Sequence, residues 1–393
     1  MKRFKSILIG MLAIAFIGTV ISCSEEAEAN EATIENRVAE LESWTSSLPK
    51  ITGSIQYDMG MYTDDLDAAD LTDDTEFRRV RIGAGGDVAG VNYKIELSAE
   101  GSSVVLKDAW LSKRLEVDGN FIKIITGQHK APTSIDEDTL PGNITFMERA
   151  TPSNIVASNF GSRRLGASAM MNIKSIWIHA GLFGKTHDDT SKQWSINSRG
   201  MVSIGDGMGV GGSYARLLDR EGSTDHSITY TDFPESQIDG SKFLTTGALT
   251  TQTADHKGAS AYITQGPIHA HGEYFIETLT VSDTVEREFS GYYAQGGYML
   301  TGENRTWNNS AGNWNRVTPD GDEYAIELAG RYSFQDYTDG TVVTGGDQTA
   351  MTIGVNVYNG PGKLGLNISQ VSHDTANEGK DHTFIGLRAQ VSF

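Results

Sequence analysis

Val91-Asn-Tyr-Lys-Ile-Glu-Leu-Ser-Ala-Glu100 is the stretch on which the reading of this chain turns. Val91, Tyr93, Ile95, Leu97 and Ala99 share one face, and Asn92, Lys94, Glu96, Ser98 and Glu100 share the other. A period of two marks an extended strand with one apolar and one polar side. Glu323-Tyr-Ala-Ile-Glu-Leu-Ala-Gly-Arg-Tyr-Ser-Phe334 repeats it, with Tyr324, Ile326, Leu328, Tyr332 and Phe334 against Glu327 and Arg331. From Ile51 onward the alternation returns in segments of about ten residues, the length at which a tilted strand crosses a bilayer. They fall near 51–62, 77–86, 91–100, 103–115, 121–130, 163–172, 175–184, 195–205, 208–218, 259–265, 268–281, 288–301, 322–334, 348–358, 363–373 and 382–393. The fold class that follows is all-β: a 16-stranded antiparallel transmembrane β-barrel over residues 50–393.

Two further patterns separate a membrane barrel from a soluble sandwich. Aromatic residues such as Tyr292, Tyr298, Tyr324, Tyr332 and Phe334 sit near the ends of apolar faces, as interfacial girdles require. Connections also alternate in length. Asp87–Gly90, Glu116–Asn120, Asp206-Gly207, Gly266-Pro267 and Asn359–Gly362 are short, whereas Thr63–Glu76, Ala131–Ser162, Lys185–Trp194 and Leu218–Gly258 are long. Gly302–Gly321 is a long connection on the side of the short turns, and the connection near Gly101 is a short one on the side of the long loops. At the C-terminus Ile385, Leu387, Ala389, Val391 and Phe393 alternate up to a terminal aromatic residue, a last strand of the kind that barrel-assembly machinery reads.

Composition narrows the function classes. The 393 residues include 44 Gly and 8 Pro, which suits many closely packed strands rather than linkers. After residue 22 no run of 18 apolar residues occurs, so spanning helices are excluded. A net charge of −19 speaks against nucleic acid as a partner. One Cys excludes a disulfide framework and a Cys-based zinc site. Gly205-Asp-Gly-Met-Gly209 has no helix pattern after it and reads as a hairpin turn. His269 and His271 have no third ligand in view and read as barrel wall. No catalytic motif, metal site or cofactor site is expected.

The N-terminus sets the compartment. Met1–Lys5 is basic and Ser6–Ile21 apolar, so residues 1–22 read as a signal peptide for export. Val20-Ile21-Ser22-Cys23 resembles a lipobox that would leave Cys23 lipidated; ordinary cleavage nearby is the alternative. Residues 23–49 read as an acidic linker and a short coiled-coil helix, because Ile34, Val38, Leu41, Thr45 and Leu48 keep heptad spacing. That helix is either an oligomerisation stub or an amphipathic segment resting on the barrel.

Several motifs, in order along the chain, carry a family resemblance. Phe77-Arg-Arg-Val-Arg-Ile-Gly83, Lys107-Asp-Ala-Trp-Leu111, Gly127-Gln-His-Lys-Ala-Pro132, Thr145-Phe-Met-Glu-Arg-Ala150 and Gly161-Ser-Arg-Arg-Leu-Gly166 belong to this set. So do Gly291–Glu303, Glu327–Ser333 and Gly345-Gly-Asp-Gln348. The chain resembles the phosphate-selective porin O and P family over about 50–393. The resemblance implies a homotrimeric porin of the bacterial outer membrane that passes phosphate-like anions, with an N-terminal coiled-coil stub. Asn356-Val-Tyr358 departs from the usual Asn-Trp-Tyr.

Sixteen strands enclose an aqueous channel, and anion preference there requires cations on its wall. In 77–84, Val80, Ile82 and Ala84 take the lipid face, so Arg79 and Arg81 point inward and Arg78 is expected at the membrane edge. By the same rule Lys94, Arg164, Arg199, Arg331 and Arg388 are lumenal. The resemblance folds the Ala131–Ser162 loop into the pore, which makes Lys130 and Arg149 constriction candidates. Arg suits phosphate because its planar fork binds oxyanions bidentately. Lumenal carboxylates such as Glu96, Glu100, Asp108 and Glu327 can instead pair with these cations. The acidic segment 63–76 reads as an external loop, either solvated or bridged through divalent cations to surface glycolipid beside the outer-membrane lipid. A second reading of the whole chain is a lipid-anchored surface binding protein that uses its external loops on a barrel scaffold.

Overall fold

In the computed structural model the first strand already shows an inside-out arrangement. Ile51, Ile55, Met59 and Met61 are exposed, while Gln56 and Asp58 between them are buried. Apolar surface outside and polar surface inside is what a strand facing lipid on one side and a lumen on the other requires. The structure describes residues 37, 48–63, 71–100, 103–187, 193–218, 226–282, 284–321, 323–374 and 381–393, apart from the side chains of Glu100 and His226. The expected signal, Cys23, nearly all of the coiled-coil helix and residues 64–70 of the acidic 63–76 segment lie outside these residues.

The strands are β1 (Lys50–Thr63), β2 (Asp74–Val88), β3 (Val91–Glu100), β4 (Ser103–Val117), β5 (Asn120–Lys130), β6 (Arg163–Ile173), β7 (Ile176–Phe183), β8 (Trp194–Ser203), β9 (Met208–Leu218), β10 (His226–Asp232), β11 (Leu244–Thr251), β12 (Thr253–Gln265), β13 (Ile268–Ser282), β14 (Val285–Met299), β15 (Trp307–Asn308), β16 (Asn313–Trp314), β17 (Ala325–Asp339), β18 (Val343–Asn359), β19 (Gly362–Asp374) and β20 (His382–Ser392). Among the described residues, all but β10, β11, β15 and β16 form one closed antiparallel barrel of sixteen strands in chain order. β20 returns to β1, with Ser392 opposite Ser54. The terminal residue seals the seam: the Gly53 amide donates to the Phe393 carbonyl at 2.8 Å, and the Phe393 amide returns a bond to Gly53 at 3.0 Å. Closure satisfies every edge, which a sheet in lipid must do. On the outer surface Tyr292 lies 6.5 Å from Tyr274 and 6.1 Å from Tyr332, an aromatic band across three adjacent strands.

The barrel is not an empty tube. The 131–162 loop carries two helices, α1 (Ile135–Asp138) and α2 (Thr151–Asn159), and most of its residues are buried. Pro152 in the first turn of α2 suits a position whose amide has no helical partner. The β10–β11 hairpin packs Ile228, Tyr230 and Leu244 against Leu279, Phe289, Tyr337 and Val343 of the wall, together with Ile155 and Phe160 from α2 and the turn after it. From the opposite end the 300–324 segment brings in Trp314, whose indole N–H donates to His271 Nδ1 at 2.9 Å. Asn313 reaches the Asp138 carbonyl at 2.9 Å, and Arg305 reaches the Asn143 carbonyl and the Thr145 hydroxyl. The inner loop is therefore held from both ends of the barrel.

Candidate functional site: a cation-lined lumen

Two β-bulges set the site. The β1–β2 ladder pairs Gln56 with Arg79 and Tyr57 with Phe77, so Arg78 is an extra residue. Strict alternation would put Arg78 on the lipid face, at a cost of roughly 2–4 kcal/mol near the midplane. The bulge turns it inward instead, where its Nε donates to Glu148 Oε1 at 2.6 Å. This corrects the membrane-edge position expected for Arg78. A bulge re-aims side chains in just this way. The second bulge lies on β4, where Glu96 pairs with Asp108 and Leu97 with Leu106, leaving Lys107 extra. The β4–β5 ladder ends at Ala109 and Gln128. There the Gln128 amide donates to the freed carbonyls of Leu106 and Lys107 at 2.7 and 3.0 Å. Gly127 makes this possible: its φ is +113°, and a Cβ there would lie 2.3 Å from the Ala109 carbonyl oxygen.

The side chains so placed form three networks, and counted by ion pairs within 4 Å among the described residues each has one more cation than carboxylate, with Glu76 near Arg78 and Asp138 near Lys130 adding negative charge from outside the pairs. In the first, Arg78, Arg79 and Arg388 face Glu148 and Asp58. Arg79 is 3.9 Å from Glu148, Arg388 is 3.1 Å from it, and Arg388 also pairs with Asp58 at 2.6 Å. In the second, Arg81, Lys94 and Arg163 face Glu96 and Asp108. Lys94 lies 2.7 Å and Arg163 2.8 Å from Asp108, and Arg81 lies 3.6 Å from Glu96. In the third, Lys130 and Arg149 share Glu137 at 3.5 and 3.2 Å.

Two lumenal cavities connect these groups. The upper one, of about 470 Å³, is bounded by Arg78, Arg79, Arg81, Lys107, Arg149, Arg163 and Lys242, with Glu137 and Asp232 as its carboxylates. The lower one, of about 240 Å³, is bounded by Lys94, Lys130 and Arg163 among others. Arg163 lines both and stands between them. Lys94 lies opposite Gly85, six residues beyond Arg79 along β2, so the cations extend roughly 20 Å down one wall.

The inner loop's carboxylates divide by environment. Burial alone would raise Glu148, but Arg78, Arg79 and Arg388 more than offset it and hold the group well below the usual carboxylate range. Glu137 is likewise lowered against its burial by Arg149 and Lys130. Asp232 is pushed up to about 7 by burial, and its Oδ2 has no hydrogen-bond partner among the described residues. The upper cavity thus holds one firmly ionised carboxylate and one that titrates near neutrality.

Not every lumenal Arg faces the channel. Arg164 donates to the Asn159 and Gly161 carbonyls at 2.5 and 2.9 Å, which closes the end of α2. Arg331 binds Glu235 at 2.5 Å and the Glu148 carbonyl at 2.8 Å, between wall and loop. Neither lines the two cavities. Arg199 is buried against Asp138 at 2.9 Å. Sequence parity misses Arg163, because Ser162 before it has a φ of +58° and the strand begins out of phase. It misses Lys107 because the bulge is invisible to a period of two. The signals were present: Arg78-Arg79 and Lys107-Asp108 are adjacent charged pairs in otherwise alternating strands.

The phosphate-selective porin O and P family model matches residues 50–393. The chain belongs to this family. It is a porin-family protein with a closed sixteen-stranded barrel. An uncharacterized protein of Caulobacter vibrioides is 30% identical to the porin over 324 residues, which is 77% of this chain and 64% of that protein's length. Among solved structures, OmpT of Vibrio cholerae matches with a TM-score of 0.57 at 11% identity, covering 88% of the porin and 97% of OmpT. OprB of Pseudomonas putida matches with a TM-score of 0.57 at 10% identity, over 91% and 97%. An anion-selective porin from Comamonas acidovorans matches with a TM-score of 0.56 at 12% identity, over 88% and 99%. At these identities the likeness is one of fold.

Proposed function

We propose that this porin conducts small anions passively, phosphate and related oxyanions among them, along the cation-lined wall of β2–β6. The observation that carries the reading is the upper cavity, whose wall brings seven Lys and Arg side chains together against Glu137 and Asp232. Each of the three networks keeps a surplus positive charge, so an entering anion meets attraction without having to displace every carboxylate. Arg79 and Arg81 offer planar forks to an oxyanion, and the sequence of partly paired cations keeps binding weak enough for release. The net charge of −19 belongs to the whole chain, whereas a permeating ion responds to the charges within about a Debye length.

The rest of the assembly follows the same reading. Residues 1–22 direct export, 23–49 link them to the barrel, and the protein works as a homotrimer in contact with outer-membrane lipid. A trimer form is known for OmpT of Vibrio cholerae. Purified porin in a planar bilayer tests the proposal. An anion-selective reversal potential across a KCl gradient, with block of the chloride current by added phosphate, is the expected result. A cation-selective pore overturns the reading, and a phosphate-indifferent anion pore removes phosphate from it.

A further inference from the structure

The two cavities differ in a way that an inorganic anion does not require. The upper one is walled mainly by polar surface. The lower one is walled mainly by apolar surface, from Trp110, Ile125, Leu140, Met170 and Trp177. Leu140 projects from the inner loop into this cavity and is 54% exposed. Trp177 is buried, yet its indole N–H has no acceptor among the described residues. Met170 and Trp177 also pack with Ile135, Met201 and Trp314, so the wall is rigid rather than a loose greasy surface. A hydrated phosphate gains nothing from such a wall. It loses solvation there without recompense, because apolar groups return no hydrogen bonds.

Lys94, Lys130 and Arg163 stand at this same cavity. Their networks, described above, keep one surplus positive charge each. The lower cavity therefore presents three cations against two carboxylates, Asp108 and Asp138, beside an aromatic and aliphatic wall within one enclosure of about 240 Å³. A dry cavity of about 150 Å³ is enough to hold benzene. The remaining volume accommodates a carboxylate and a water or two, each water taking about 30 Å³.

We infer that the lower cavity is a subsite for small organic anions, a one-ring aromatic carboxylate being the best fit. The carboxylate pairs with Lys94 and Arg163, and the ring lies on Leu140, Met170 and the two tryptophans. The inference rests on the anion-channel reading above and narrows it: Arg163 passes inorganic and organic anions alike from the upper cavity, and the lower one favours those with an apolar body. The ring's apolar surface is the source of discrimination. Burying about 60 Å² of it at ~25 cal/mol per Å² corresponds to about a tenfold gain in affinity over an anion without the ring.

Benzoate, acetate and inorganic phosphate, each added to the full-length porin in a KCl-bathed bilayer, test this directly. Benzoate is expected to reduce the chloride current at about a tenfold lower concentration than acetate, and to quench tryptophan fluorescence of the detergent-solubilised porin where acetate does not. Leu140→Asn lies on an exposed side chain, and it should lower the benzoate-to-acetate affinity ratio several-fold. An anion-selective pore with equal benzoate and acetate affinities, or a ratio untouched by L140N in a folded barrel, overturns the subsite and leaves the anion channel standing. A cation-selective reversal potential overturns both.

Discussion

Replacing Arg79 and Arg81 together by Gln removes one charge from each of two of the networks that open onto the upper cavity. A volume of about 470 Å³ equals a sphere roughly 5 Å in radius, so an ion at its centre lies roughly 5 Å from a wall charge. At a water-like dielectric that is about 0.8 kcal/mol per charge, reduced to about 0.5 kcal/mol when the Debye length is ~10 Å. Two lost charges cost chloride about 1 kcal/mol and favour potassium by the same amount. The chloride-to-potassium permeability ratio should fall by roughly 30-fold. In a tenfold KCl gradient, whose ideal limit is about 59 mV, the reversal potential should move toward zero by tens of millivolts. The barrel should survive the change. Glu148 keeps Arg78 at 2.6 Å and Arg388 at 3.1 Å, and Glu96 and Asp108 keep Lys94 and Arg163. A folded R79Q/R81Q porin with an unchanged reversal potential would refute the reasoning, because it would mean that permeating ions do not pass this wall.

Three other outcomes follow from the same geometry. Deleting Arg78 should leave a folded barrel with reduced anion preference, since Gln56 and Tyr57 would then face Arg79 and Phe77 without interruption; loss of the heat-resistant folded band on a gel would contradict the bulge. Because burial holds Asp232 up to about 7, the upper cavity gains a negative charge as pH rises through that value. Chloride preference should therefore decline between pH 6 and 8, and an Asp232→Asn porin should show no such decline when reversal potentials are compared. Gly127→Ala places a Cβ against the Ala109 carbonyl at a φ of +113°, so it should destabilise the barrel by at least ~1–3 kcal/mol, read as a lowered midpoint in urea unfolding.

The strand alternation made the barrel legible because the lipid face tolerates few exceptions. Glu327 and Arg331, read as inward from one segment, are buried, and Tyr324 and Leu328 opposite them are exposed. What alternation cannot show is where the ladder gains a residue. Arg78 therefore looked lipid-facing although it lies against Glu148. The filling of the lumen was hidden for a different reason. Leu279, Phe289 and Tyr337 are apolar on the inner face because Ile228, Tyr230 and Leu244 of a folded-in hairpin cover them. In sequence such positions only blur the inward polar pattern. The strand 121–130 is apolar on both sides for a similar reason: Phe121 and Ile125 are buried inside while Ile122 and Ile124 face outward. Lys130 could be oriented only once Glu137 on α1 was in place beside it. The long 302–321 connection broke the loop-length rule, and it is the segment that carries Trp314 to His271.

Arg388 stands on the last strand, yet its guanidinium binds Asp58 on the first strand and Glu148 with the Met147 carbonyl on the inner loop. Arg388 makes those contacts only once β20 arrives, some 240 residues after the loop is made. Assembly of this chain therefore has its final step and its functional step in common: the side chain that fastens the seam also fixes the Glu148 carboxylate around which Arg78 and Arg79 are arranged. A barrel whose seam stays open lacks the arginine cluster around Glu148, so on the anion-channel reading proposed above an unfinished molecule would be a poor filter as well as an incomplete cylinder.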